Sequence, residues 1–309
     1  MSDQLRADPP AARKAGPRER ESMGAGAAFS LLAFGSLAAM NALVKLASAS
    51  TSTAVLVFFQ NLICFAVVLP FVLRDGTRAL ATRRIGMHVF RAVTGSGAWY
   101  GLFVAIKLMP LASAVLLTYS APLWMPLIAW LGFREAVTPR VWIGALLGFV
   151  GILLVLHPGS HVLGWGAVFA IGAAILLALA LLAVRWLGAT EPTARILFYY
   201  FMLSSALMLP LVLTGWRTPS PRDWAYLAGI GGMLLLSQLF IVIAYRYASA
   251  VRLSPFIYSV IVFTALLDWA VWGQTPSASE ALGMAVVVAA GVFAAIAGRH
   301  ESGRLEEGR

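Results

Sequence analysis

Residues 24–45, GAGAAFSLLAFGSLAAMNALVK, can be laid over residues 164–185, GWGAVFAIGAAILLALALLAVR. Each run has the length that a membrane-spanning helix needs, about 20 mostly apolar residues. Gly24, Gly26, Ala27 and Phe29 of the first fall on Gly164, Gly166, Ala167 and Phe169 of the second, and Val44-Lys45 falls on Val184-Arg185. A spanning helix and its distant copy imply that the chain is both polytopic and internally duplicated.

Working outward, further runs of this kind lie near 53–73, 86–106, 110–132, 139–157, 194–214, 224–245, 250–273 and 278–298. The chain should therefore be an all-α membrane protein of ten transmembrane helices. Composition agrees: 60% of the 309 residues are hydrophobic, 12% are charged, and mean hydropathy is +0.84. A soluble domain carries about a quarter charged residues. The formal charge of +10 is spread through tails and connectors and forms no basic stripe, so no nucleic-acid partner is expected. The lone Cys64 excludes an intramolecular disulfide. The polar, basic segment 1–22 reads as a disordered cytoplasmic tail, and 299–309 as a second cytoplasmic tail.

Charge also sets the expected orientation. With the N-terminus inside, eighteen of the 23 lysines and arginines fall on the cytoplasmic side, Arg74, Arg84, Arg185 and Arg246 among them. Four fall outside, namely Lys45, Lys107, Arg217 and Arg222, and Arg91 lies within the third helix. The positive-inside rule then places both termini in the cytoplasm.

The duplication continues beyond the first helix. Pro70 falls on Pro210; with the offset reduced by one, Lys107 meets Arg246, Tyr119 meets Tyr258, Trp130 meets Trp269, Glu135 meets Gln274 and Gly144 meets Gly283. The repeats are bounded at 23–160 and 161–298, with five helices each. An odd number threads the second half through the bilayer in the opposite direction. Inverted repeats around a midplane cavity are a common construction of secondary carriers.

The stretch from Ala105-Ile106-Lys107-Leu108-Met109-Pro110 through Tyr119-Ser120-Ala121-Pro122 to Thr138-Pro139-Arg140-Val141-Trp142-Ile143-Gly144 resembles the signature of EamA-domain carriers of the drug/metabolite transporter superfamily. Ala244-Tyr245-Arg246-Tyr247-Ala248 and Ser254-Pro255-Phe256-Ile257-Tyr258 repeat it. The resemblance covers nearly all of 24–298. It implies a central cavity lined by helices one, three, four, six, eight and nine, with helices five and ten at the periphery, where a homodimer contact is expected. The glutamate usual after the ninth helix is Gln274 here.

Candidate solute-binding residues are those that place polarity or aromatic rings in these apolar helices. Tyr119 and Tyr258 are repeat-related, each with an apolar ring and a hydroxyl needing a partner. Arg91 and Asp268 are the ionisable groups most clearly inside helices, where charge is costly, although each lies near enough to a helix end to snorkel. Asn41, Gln238, Trp99 and Trp124 complete the set. Gln60 and Asn61 also interrupt an apolar run. Lys45 and Arg185 read as interface anchors. Pro122 and Pro126 should bend the fourth helix. Ser277 and Glu280 have capping-box spacing. Gly144, Gly148 and Gly151 form a small face suited to close packing or dimerisation. His157 and His161 flank Pro158-Gly159, so a metal site is not expected, nor any cofactor.

The function expected is secondary transport of a small metabolite, such as an amino acid or derivative, by alternating access across the bacterial inner membrane, in the export direction. The alternative is uptake of a cofactor-like solute such as riboflavin or S-adenosylmethionine. An intramembrane enzyme is the competing class, but it would need a nucleophile with its base, or a metal set, inside the bilayer. The partners implied are a small-molecule solute and the lipid bilayer.

Overall fold

A helix pairs all of its own backbone groups, which is why apolar runs of this length fold as helices in hydrocarbon. The structure is a computed structural model describing residues 22–74, 80–133, 139–156, 164–188, 190–248 and 253–307. Its elements are α1 (Met23–Ala47), α2 (Thr53–Arg74), α3 (Ile85–Leu108), α4 (Leu111–Thr118), α5 (Ala121–Phe133) and α6 (Pro139–Val155). They continue as α7 (Trp165–Gly188), α8 (Thr193–Thr214), α9 (Pro221–Tyr247), a 3-10 helix (Ser254–Tyr258), α10 (Ser259–Trp272) and α11 (Ala278–Glu307). Among the described residues, seven spans are long and apolar enough to cross a membrane, the one over Leu111–Gly132 combining α4 and α5. Shorter apolar helices at Trp142–Val155, Phe256–Trp272 and Ala278–Ala290 complete the ten. Glu135, Thr138, His157 and His161, and the tail before Ser22, lie outside the described residues.

Local chemistry explains the boundaries. Ser22 Oγ caps α1 by accepting from the Ala25 N–H at 3.3 Å. Ser220 and Asp223 form a reciprocal capping box at the start of α9, with Pro221 in the first turn. Ser277 and Glu280 do the same before α11: Glu280 Oε2 accepts from Ser277 N–H at 2.7 Å, and Ser277 Oγ accepts from Glu280 N–H at 3.3 Å. The chain leaves α10 through Gly273 at φ 66°, a left-handed conformation that glycine adopts without strain. The last helix runs on to Glu307, so most of the segment expected as a tail is helical.

The fourth span, expected to bend at its prolines, and the ninth are each broken into two helical pieces. α4 stops at Thr118 and α5 begins at Ala121, because Pro122 has no N–H to offer and disfavours helical geometry before it. In the ninth span a 3-10 turn containing Pro255 precedes α10. The repeat-related Tyr119 and Tyr258 stand at the two junctions.

Packing follows the duplication. The most extensive pairings are α1 with α9 and α3 with α7, which exchange under the repeat, and α2 with α8 and α6 with α11, which map onto themselves. This is the arrangement of two inverted five-helix halves about a pseudo-two-fold axis. The connectors obey it too. Asp223 Oδ1 accepts from Ser50 Oγ at 2.5 Å at one face, and Glu191 Oε1 accepts from Thr82 Oγ1 at 2.7 Å at the other. Burial works to raise the Glu191 pKa, yet the bonds from Thr82 and Arg195 and the charge of Arg195 outweigh it and hold the carboxyl below its ordinary value, so this tie stays ionised at neutral pH.

The glycine face of α6 is used inside the chain. A Cβ on Gly148 would run into the Leu123 side chain, and one on Gly151 would lie 2.9 Å from the Gly283 carbonyl oxygen. Leu146, Leu147, Val150 and Leu153 point outward and are exposed, as a lipid-facing stripe should be. Gly283→Val should cost about 1–3 kcal/mol by overpacking this backbone-to-backbone crossing, read as a lower thermal midpoint in detergent. Gly86→Ala, where a Cβ meets nothing within 4 Å, should leave the midpoint in place or raise it.

Candidate functional site

Most polar side chains in the spans satisfy themselves locally. Thr94 Oγ1 donates to the Phe90 carbonyl at 2.8 Å, Ser205 Oγ to that of Phe201 at 2.9 Å, Asn61 Nδ2 to that of Val57 at 2.7 Å, and Thr264 Oγ1 to that of Val260. These four-residue steps cost no partner from another helix. A second set behaves differently. Both amide atoms of Asn41 (α1) and Gln60 (α2), and the hydroxyl of Ser96 (α3), are fully buried and find no partner among the described groups. Unpaired polar atoms in an apolar interior are costly, so this set makes a candidate site.

Arg91 on α3 and Tyr200 on α8 meet within the spans. The Arg91 guanidinium lies over the Tyr200 ring, 4.4 Å from its centroid, and its Nε has no partner among the described groups. Gly95, one turn further along α3, makes this possible: a Cβ there would sit 2.6 Å from the Tyr200 ring. Trp99 and Ser204 flank the Tyr200 hydroxyl, and Cys64 is close by on α2. Gln60 and Cys64 are the repeat counterparts of Tyr200 and Ser204, an offset of 140 residues that carries Pro70 to Pro210 as well. Because α2 and α8 map onto each other with opposite direction, Cys64 and Ser204 stand level near mid-span, with Gln60 one turn toward one face and Tyr200 one turn toward the other. The equivalence was available in the sequence but hidden, since glutamine against tyrosine and cysteine against serine do not look alike.

Asp268 lies elsewhere. It is 2% exposed, and its Oδ1 accepts from Lys45 Nζ at 2.7 Å while its Oδ2 accepts from the Ala112 N–H at 3.0 Å, in the first turn of α4. Lys45 Nζ also reaches Gln274 Oε1 at 3.1 Å and sits 4.4 Å from the Trp272 ring centroid. Lys45, expected as an interface anchor, is thus the ion partner of a buried carboxylate. Arg91 is six residues from one end of α3 and Asp268 four from the opposite end of α10, which separates them by roughly 20 Å along the helices. One small solute cannot be expected to touch both at once.

The remaining candidates divide. Tyr119 and Tyr258 are buried at their helix breaks, and Trp99 joins the Tyr200 group. Trp124 is held between Ser120 Oγ, to which its Nε1 donates at 3.2 Å, and the edge of Phe149 on α6. Gln238 is exposed on α9, beside exposed Leu239.

A family model for the EamA-like transporter family matches residues 24–157 and again 164–296. The chain belongs to this family. It is 31% identical over 274 residues to the pseudopaline exporter of Pseudomonas aeruginosa, covering 86% of this chain and 94% of that one. It is 30% identical to a riboflavin transporter of Brucella anthropi (83% and 93% covered) and 26% identical to an S-adenosylmethionine uptake transporter of Rickettsia prowazekii (76% and 80%). A solved crystal structure matches 88% of the chain with a TM-score of 0.58 at 20% identity, which speaks for the fold alone.

This EamA-family chain is a multi-pass membrane protein, so a polar group buried in its spans without a partner is costly. Gln60→Met, an apolar replacement of similar size, should therefore stabilise the protein by about 1–3 kcal/mol, read as a raised thermal midpoint. A lowered midpoint would mean that the amide is already well partnered.

Proposed function

We propose that this chain is a secondary carrier that exports a small metabolite bearing an acidic group, an amino acid or a derivative of one, by alternating access. The observation that carries the reading is the polar cluster of Arg91, Tyr200 and Ser204, with the unpaired Ser96 and Gln60 on the adjoining helices α3 and α2. Its cation has no ion-pair partner among the described residues, and the Gln60 amide and the Ser96 hydroxyl find no hydrogen-bond partner among them. A carboxylate on Arg91 would neutralise a charge that is expensive to leave bare in the bilayer, and the amide and hydroxyls would take up the solute's remaining donors and acceptors. The Tyr200 and Trp99 rings suit an apolar or planar portion. Tyr119 and Tyr258, at the breaks of the fourth and ninth spans, are placed by this reading on the walls that change shape.

The family's members are transporters, and relatives named for export and for uptake match this chain at similar identity. A secondary carrier runs down the combined gradient of its solutes, so direction belongs to the gradients as much as to the protein. Outward movement follows the exporter relative; inward movement of a cofactor-like solute is the second reading. The charge distribution supports a cytoplasmic location for both termini in a bacterial inner membrane, and the two family matches support repeats bounded near 23–160 and 161–298.

Proteoliposomes preloaded with a panel of amino acids and their derivatives, assayed for flux in both directions, test this. Arg91→Gln should lower flux of the transported solute about tenfold to a hundredfold, the value of a hydrogen bond to a charged group. Unaltered flux through Arg91→Gln and Tyr200→Ala together would sink the site.

A further inference from the structure

In an alternating-access carrier each mouth must close by contacts between the two halves, and the duplication says which contacts should occur at both. The connector ties do: Ser50 with Asp223 joins the first and seventh inter-helix connectors at one face, and Thr82 with Glu191 joins the second and sixth at the other. Both are made at once, so neither distinguishes an open mouth from a closed one. The bond from Lys45 to Asp268 has no such twin. The counterpart of Lys45 is Arg185, which is exposed, and that of Asp268 is Ala129, which has no charge to offer.

Resting on the carrier reading above, we infer that Lys45–Asp268 is the latch of one mouth: it holds α1 of the first half against α10 of the second and must part before solute passes that face. The pair bridges the halves 223 residues apart in sequence, and each charge has a further hydrogen bond, to the Ala112 N–H and to Gln274. It lies beneath a cavity of about 710 Å³ whose walls include Lys107, Met109, Pro110, Trp272 and Gln274, a vestibule outside the closure. Asn41, one turn deeper than Lys45 on the same face of α1, is fully buried. Lys45 and Asp268 are therefore positioning residues. They act on the access route, at a different depth from the Arg91 cluster.

The experiment needs no solute. In a Cys64→Ser background, Ala42→Cys places a thiol three residues before Lys45 on α1, at a position 8% exposed, and Ala145→Cys places one on α6 at a position 1% exposed, away from the mouth. Right-side-out and inverted membrane vesicles are treated with a membrane-impermeant methanethiosulfonate. Lys45→Met and Asp268→Asn should each speed labelling at position 42 roughly tenfold or more from the Lys45 side only, with position 145 unchanged. Equal labelling at 42 with and without the latch overturns the inference. So does a rise at 42 and 145 together, which reports general loosening. Because flux is measured separately, a chain that latches without carrying is told apart from one that carries without this latch.

Discussion

Everything in this protein depends on one constraint: a polar group inside hydrocarbon must find its partner within the protein or within what the protein binds. The constraint turns each apolar run into a helix, because only a helix pairs its own backbone. It then sorts the side chains. Thr94, Ser205 and Thr264 bond back along their own helices and ask nothing of their neighbours, and Asn61 does so with its amide nitrogen. Lys45 and Asp268 satisfy one another across the halves. Asn41, Gln60 and Ser96 find no partner among the described groups. The third group is the informative one, since a polar group left unpaired in an apolar interior works against stability.

Duplication supplies the second organising principle. α1 on α9 and α3 on α7 are one contact built twice, and α2 on α8 and α6 on α11 lie across the axis that relates the halves. The two halves can therefore close at either face with related packing. Function enters where the halves differ. Arg91 has no charged counterpart in the second half, and Asp268 has none in the first. Each departure adds a charge to a membrane interior, a cost that packing alone does not explain.

The ten spans, their order and the inverted repeat were legible in the sequence because hydropathy and an in-register offset report on the bilayer, whose thickness is fixed. Site geometry was legible only in part. Arg91 and Asp268 drew notice as charges in apolar runs near helix ends, yet nothing in a one-dimensional pattern says that one is paired with Lys45 while the other lies over an aromatic ring. Tyr200 was missed because an aromatic residue in a spanning helix looks ordinary until Arg91 is seen over its ring. Lys45 was read as an anchor because it ends a helix; its partner is 223 residues away, beyond the reach of any local rule. The breaks at Tyr119 and before Ser259 were half visible: proline marks the bend, but the lost helical turn depends on tertiary packing.

Asymmetry of this kind has a use that symmetry cannot supply. Two halves with identical closing contacts would leave both mouths equally willing to open, with neither state preferred before solute arrives. A contact present at one mouth only shifts that balance, and about 1.4 kcal/mol is enough for a tenfold preference. The contact must also be breakable. A buried ion pair that loses one partner costs roughly 3–5 kcal/mol because the other charge is stranded. Parting into a water-filled vestibule is different: both charges are rehydrated as they separate, which offsets much of that cost. Lys45 is 13% exposed on its side chain and borders the large cavity, whereas Asp268 is 2% exposed. Water thus reaches the cation first, and the pair can open from its wet side without either charge crossing hydrocarbon alone.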